Sequence, residues 1–227
     1  MNALGTHTLK SYDQQLTHLM DLIFAMGAHV QVLAGIAKQA LHMREEALVM
    51  QAKAEDKEIN RLEGLLEMAA TETLALQNPL AVDLRFVTSA LKISAMLERA
   101  GDLAKNVVKR SAHLGGYSST ETLAALEHMA DIVTDMLNDA LDAVKRRDAQ
   151  KALDVWKRDD EVDDLYHAVF SAVQREMLES AANIPSCTHV VFMAKNLERM
   201  ADYVTNLAKT VHYIVTGHPA DKSLLKQ

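Results

Sequence analysis

Cysteine is nearly missing from this chain. Cys187 stands alone among 227 residues, so no disulfide can form within the chain. Only three prolines and eight glycines are present, so turns are few and the elements between them must be long. Aromatic residues make up 4% of the sequence, too few for the strand-rich cores of a sandwich or a doubly wound sheet. No uninterrupted run of eighteen apolar residues occurs, so no membrane span is expected. The stretch Met1 to Lys10 lacks the charged-then-apolar order of a secretory leader. No disulfide, no span and no leader together fit the cytoplasm. An excess of base is missing too: the formal net charge is −7. That argues against sequence-independent nucleic-acid binding, which needs Lys and Arg to neutralise phosphates.

Hydrophobic residues nevertheless reach 49%, with Ala, Leu and twelve Met supplying most of the bulk. These residues lose little rotamer freedom in a helix, so the composition predicts an all-α fold. Six helical segments follow from the apolar period: Thr8 to Met43, Glu45 to Leu76, Pro79 to His113, Glu121 to Arg146, Asp148 to Ala181, and Ile184 to about Gly217. The second is expected to stop before Asn78-Pro79, because a residue preceding proline avoids helical geometry. In the third, Phe86, Ala90, Ile93, Leu97, Ala100, Ala104 and Val107 form one stripe. Val190, Met193, Leu197, Met200, Val204, Leu207 and Val211 do the same in the last. Such stripes are buried by antiparallel bundling. The predicted organisation is two tandem three-helix bundles, residues 1–114 and 121–218, with a linker at 115–120 and a polar tail at 219–227.

The two halves repeat each other. Glu98-Arg99-Ala100-Gly101-Asp102-Leu103-Ala104-Lys105-Asn106 is matched 100 residues later by Glu198-Arg199-Met200-Ala201-Asp202-Tyr203-Val204-Thr205-Asn206. Asp56 to Leu62 is matched 103 residues later by Asp159 to Leu165. The two offsets differ only between helices, where length changes are tolerated. This is an internal duplication.

Glu98 and Asp102 lie one turn apart and off the core stripe, as do Glu198 and Asp202. An antiparallel neighbour can bring Asp56 and Asn60 opposite the first pair, and Asp159 and Asp163 opposite the second. Gathered carboxylates repel unless a cation intervenes. All-oxygen ligands suit a hard or borderline ion such as Mg²⁺, Mn²⁺ or iron. The plainer alternative is a solvated carboxylate face, with Arg99 and Arg199 pairing to neighbouring helices. The Glu-x-x-His ligand pattern of di-iron bundle enzymes is absent, as are the phosphate-loop, dinucleotide and serine-hydrolase motifs. No nucleophile has an evident base. Cys187 and Trp156 are expected to be packing residues.

At these positions the chain resembles the PhoU family, from about Thr8 to Gly217. Asp83-Leu84-Arg85 and Leu97-Glu98-Arg99-Ala100-Gly101-Asp102 are similar to its Asp-Leu-Arg and Leu-Glu-Arg-x-Gly-Asp signatures, and Asn196 to Asp202 resembles the second copy. The resemblance implies two three-helix bundles related by pseudo-twofold symmetry and a non-enzymatic, cytoplasmic negative regulator of phosphate uptake and phosphate-starvation genes. It implies an adapter between the ATPase subunit of the phosphate ABC transporter and a membrane sensor histidine kinase. Homodimerisation is expected, with membrane association only through partners. It also implies divalent or trivalent metal ions (Mg, Mn or Fe) held by Asp159, Asp163, Glu198 and Asp202 in one half, and by Asp56, Glu98 and Asp102 in the other, with Asn60 in place of a carboxylate. The site lacking that charge is expected to bind more weakly. A PhoU-like accessory of a secondary phosphate permease and a metal-dependent carboxylate-bundle enzyme are the alternatives.

Overall fold

The computed structural model describes residues 4–77 and 79–226. Asn78, expected to end the second helix, lies outside the described residues, as do Met1 to Ala3 and Gln227. The chain forms seven α-helices: α1 Leu4–Met43, α2 Glu46–Gln77, α3 Ala81–Ser111, α4 Thr120–Arg146, α5 Ala149–Lys157, α6 Asp159–Glu179 and α7 Ile184–Thr216. No strand occurs among the described residues. One turn of 3₁₀-helix, Ala181–Asn183, joins α6 to α7, and a second spans Lys222–Lys226. In that second turn Asp221 Oδ1 accepts the Ser223 backbone N–H at 2.7 Å and caps it.

Each boundary has a local cause. Left-handed backbone at Arg44 (φ 51°) turns α1 into α2. Left-handed Arg147 and Gly217 end α4 and α7, Gly217 at no steric cost. The third helix starts at Ala81 rather than at Pro79, after extended Leu80. Pro185 sits in the first turn of α7, where its missing N–H costs nothing.

The segment read as one helix from Asp148 to Ala181 is two. It breaks at Arg158, whose N–H turns back to the Val155 carbonyl. Asp148 caps α5 by accepting the Lys151 N–H at 3.0 Å. Beyond the break, Asp159, Asp160 and Glu161 fill the first turn of α6, the end of a helix dipole that favours anions. Packing drives the break. α5 buries Ala152, Leu153, Val155 and Trp156, whereas the buried face of α6 is Val162, Val169 and Val173.

Both expected stripes are buried in full, from Phe86 to Val107 in α3 and from Val190 to Val211 in α7. α3 and α7 form the most extensive helix pairing in the molecule, across the two halves. They run antiparallel. His113 beyond α3 stacks on His189 near the start of α7, with ring centres 5.1 Å apart. At the other end Arg85 lies against Gly217. α1 is long and apolar enough to cross a membrane, but half of its most apolar window is buried against the other helices. It packs on α2, α3 and α4, and this accounts for its apolarity.

The segment between the halves is pinned rather than free. Leu114 and Tyr117 are buried. Arg44 donates to the carbonyls of Gly115 and Tyr117 at 2.6 and 2.8 Å. Residues of both halves belong to one continuous hydrophobic core.

Candidate functional site

The repeated carboxylates sit where the last helix of each half meets its neighbour, on surfaces flanking the buried stripes. In the first half Gly101 sets the approach of α2 to α3. A Cβ there would come within 2.8 Å of Ile59 Cδ1, so glycine lets the backbones close up. This brings Asp56 on α2 to the same lysine as Asp102 on α3. Lys105 Nζ donates to Asp56 Oδ1 at 2.7 Å and to Asp102 Oδ1 at 2.5 Å. Its side chain is 13% exposed. Burial would lower the Lys105 pKa, but the hydrogen bonds to Asp102 and Asp56 outweigh it and raise it. Lys105 is therefore a firmly held cation between two helices.

Glu98 is half-buried beside this pair. Burial raises its pKa, and Asp102 and Asp56 raise it further, against the opposing Arg99. Arg99 reaches back to its chain neighbour, Nε to Glu98 Oε2 at 3.4 Å, rather than to another helix. Asn60 is exposed. A second α2 carboxylate beside Glu98, besides Asp56, is Glu63, whose pKa is raised by burial and then by Glu98.

The second half is arranged differently. Asp159 at the start of α6 faces Asp202, and Asp163 faces Glu198. Burial, followed by the charges of Asp202 and Asp163, pushes Asp159 up to about 6. Asp163 is raised by burial and then by Glu198. Asp202 is raised by burial and then by Glu198 and Asp163. Asp159 thus feels Asp202 and Asp163, and those two feel Glu198, across α6 and α7. Their lysine stands outside: Lys195 donates to Glu198 Oε1 at 2.6 Å, is 44% exposed, and lies over the Tyr166 ring. Glu198 Oε2 is buried with no hydrogen-bond partner. Thr205 Oγ1, at the position that matches Lys105, is also buried and stands beside Asp159, opposing the rise in its pKa.

Among the described residues, no group of three or more His, Cys, Asp or Glu side chains is drawn to metal-binding geometry. The second half still fits a cation better than the first. It sets half-buried Asp159 and Glu198 beside the exposed Asp163 and Asp202, with an orphaned buried oxygen on Glu198 that a hard cation would satisfy. In the first half an ammonium already does that work. Asn106 and Asn206, a turn further along, are half-buried and exposed respectively. The sequence reading missed Lys105 and Glu63, although the exchange of charged Lys105 for neutral Thr205 between the repeated Asp and Asn was the available signal.

Cys187 is fully buried, its thiol raised by burial and by Glu176, as fits a packing residue. Trp156 is buried under the Lys209 ammonium, which stands 4.1 Å from the ring centre.

The PhoU domain family model matches residues 23–111 and again 126–211, once in each half. The chain is 39% identical over 212 residues to the phosphate-specific transport system accessory protein PhoU homolog of Caulobacter vibrioides, covering 93% of this chain and 92% of that one. The fold superposes on the crystal structure of PhoU from Pseudomonas aeruginosa with a TM-score of 0.87 at 30% identity, covering 91% of this chain and 100% of that one. For the phosphate transport system regulatory protein PhoU from Streptococcus pneumoniae the TM-score is 0.85 at 28% identity, covering 92% and 99%. Two family matches, one per repeat, an end-to-end relative and two superposable structures lead to one assignment: the chain belongs to the PhoU family.

Proposed function

We propose that this protein is a non-enzymatic negative regulator of phosphate uptake and of phosphate-starvation gene expression. It would act as a cytoplasmic adapter between the ATPase subunit of a phosphate ABC transporter and a membrane sensor histidine kinase. The observation that carries the reading is the end-to-end likeness, over 93% of the chain, to a protein named as a phosphate-specific transport accessory. A relative of the same fold is named as a regulatory protein of phosphate transport. Two rigid bundles sharing one core suit a docking body that presents long helix faces to partners, as a homodimer.

The second-half carboxylates Asp159, Asp163, Glu198 and Asp202 would hold a divalent or trivalent ion, Mg, Mn or Fe. Bound there, the ion would neutralise the cluster and lock α6 against α7. The protein's own part is to hold the four oxygen donors on two helices and to leave Glu198 Oε2 without another partner.

The test is genetic. Deleting the gene in a strain carrying a phosphate-starvation reporter is expected to give constitutive expression in high phosphate, restored to repression by the gene supplied in trans. Repression that survives the deletion would overturn the regulatory reading.

A further inference from the structure

At two of the positions where the copies differ beside the carboxylate clusters, a lysine is exchanged for a neutral residue. Lys105 in the first half corresponds to Thr205 in the second, and Ala95 in the first to Lys195 in the second. Lys105 and Lys195 approach their Glu/Asp pairs from opposite sides, and Lys209 adds a further positive charge near Asp159 and Asp202 in the second half. Lys105 comes from within. It is buried to 13% exposure and bridges Asp56 on α2 to Asp102 on α3 at 2.7 and 2.5 Å. Lys195 comes from the rim. It is 44% exposed and reaches only Glu198, a residue of its own helix. No lysine or arginine nitrogen comes within 4 Å of Asp159, Asp163 or Asp202 among the described residues.

We propose that Lys105 is a built-in cation that takes the place of a metal ion in the first half, so that the molecule is a one-metal protein by design of its sequence. This rests on the reading of the second half as a metal site, and it departs from an equal pair of sites. Two physical points support it. An ammonium between two carboxylates from different helices supplies the cross-link a metal would supply, in charge-assisted bonds that need no ion from solution. A metal entering the first half would have to displace that ammonium. The freed Lys105 would then lie desolvated beside the incoming divalent charge, and two like charges would meet in a half-buried space. Thr205 imposes no such obstacle. It is neutral and short, and its buried hydroxyl stands beside Asp159, whose ionised form it favours. Asn60 also leaves the first half one carboxylate short of the second, and like its counterpart Asp163 it is exposed.

The decisive variant is Lys105→Thr, which installs the second half's own residue. Calorimetric titration with Mn²⁺ after chelator treatment reads the number of ions bound per chain. Wild type is expected to bind one, lost in Glu198→Ala and kept in Glu98→Ala. Lys105→Thr is expected to bind two, the additional one lost when Glu98→Ala is added. The ion-free Lys105→Thr protein should also melt at lower temperature than wild type and regain the loss in Mn²⁺, with circular dichroism confirming that it is folded. If Lys105→Thr takes up no additional ion, or if Glu98→Ala costs the wild type its ion, the inference is overturned. If Glu198→Ala leaves wild-type uptake unchanged, it is the second-half reading that fails, and the first-half result still stands on its own.

Discussion

Asp159 carries the least comfortable charge in the molecule. Its pKa is pushed up to about 6 by burial and then by Asp202 and Asp163. The fold therefore penalises its ionised form, and the sign of the pH dependence follows. As pH falls from about 6 toward the ordinary aspartate value, the proton is taken up more readily by the folded state, and stability rises. Asp159→Asn removes the penalty without changing the shape. In ion-free protein at pH 7 this variant is expected to be about 1–3 kcal/mol more stable than wild type. The advantage should shrink through about pH 6 and vanish near pH 4, as followed by urea unfolding at a series of pH values. An advantage that does not vary with pH would rule out the charge as its source. Lys105 shows the opposite economy. Its charge is stabilised by Asp102 and Asp56, so the first half carries its own counterion.

At the scale of elements, the break between α5 and α6 decides where the second cluster forms. A continuous helix would carry Trp156 and Asp159 along one axis. The turn at Arg158 lets Trp156 stay buried while Asp159 opens a new helix facing α7. Lys157-Arg158-Asp159-Asp160 contains neither proline nor glycine, so period alone ran the helix through. The acidic first turn was the legible hint. α6 has a second task at its far end, where it clamps the segment joining the halves. Glu176 accepts from Tyr117 Oη at 2.7 Å and Thr122 Oγ1 at 2.8 Å. Burial would raise the Glu176 pKa, but these hydroxyls outweigh it and hold it below its usual value. Glu176→Ala strands both hydroxyls, at an expected cost of about 1–2 kcal/mol in chemical denaturation. Glu176→Gln, which keeps an acceptor, should lose less. Equal losses would mean that the hydrogen bonds do not hold the segment.

At the scale of the whole molecule, the two repeats behave as one body, because α3 and α7 press their stripes together across the halves and the core is continuous. Trp156 reports on the second half alone, since it is the single tryptophan. Its fluorescence and far-ultraviolet circular dichroism should therefore give coincident urea transitions. Leu97→Ala, in the first half, should lower the midpoint reported by Trp156 by an amount equivalent to about 2–5 kcal/mol. A Trp156 transition untouched by Leu97→Ala would mean that the halves unfold separately. The all-helical class, the stripes of α3 and α7, the duplication and the carboxylate pairs were all written in the residues themselves. They follow from composition and from a period of 3.6, which are local properties of the chain. The tertiary structure decided what periodicity cannot reach: that Glu63 joins Asp56 beside Glu98, that Lys105 spans two helices, that α5 and α6 part at Arg158, and that the segment at 115–120 is pinned. Each of these depends on which side chain arrives from a distant helix to claim a charge, a hydroxyl or a space, and only the packed core brings those partners together.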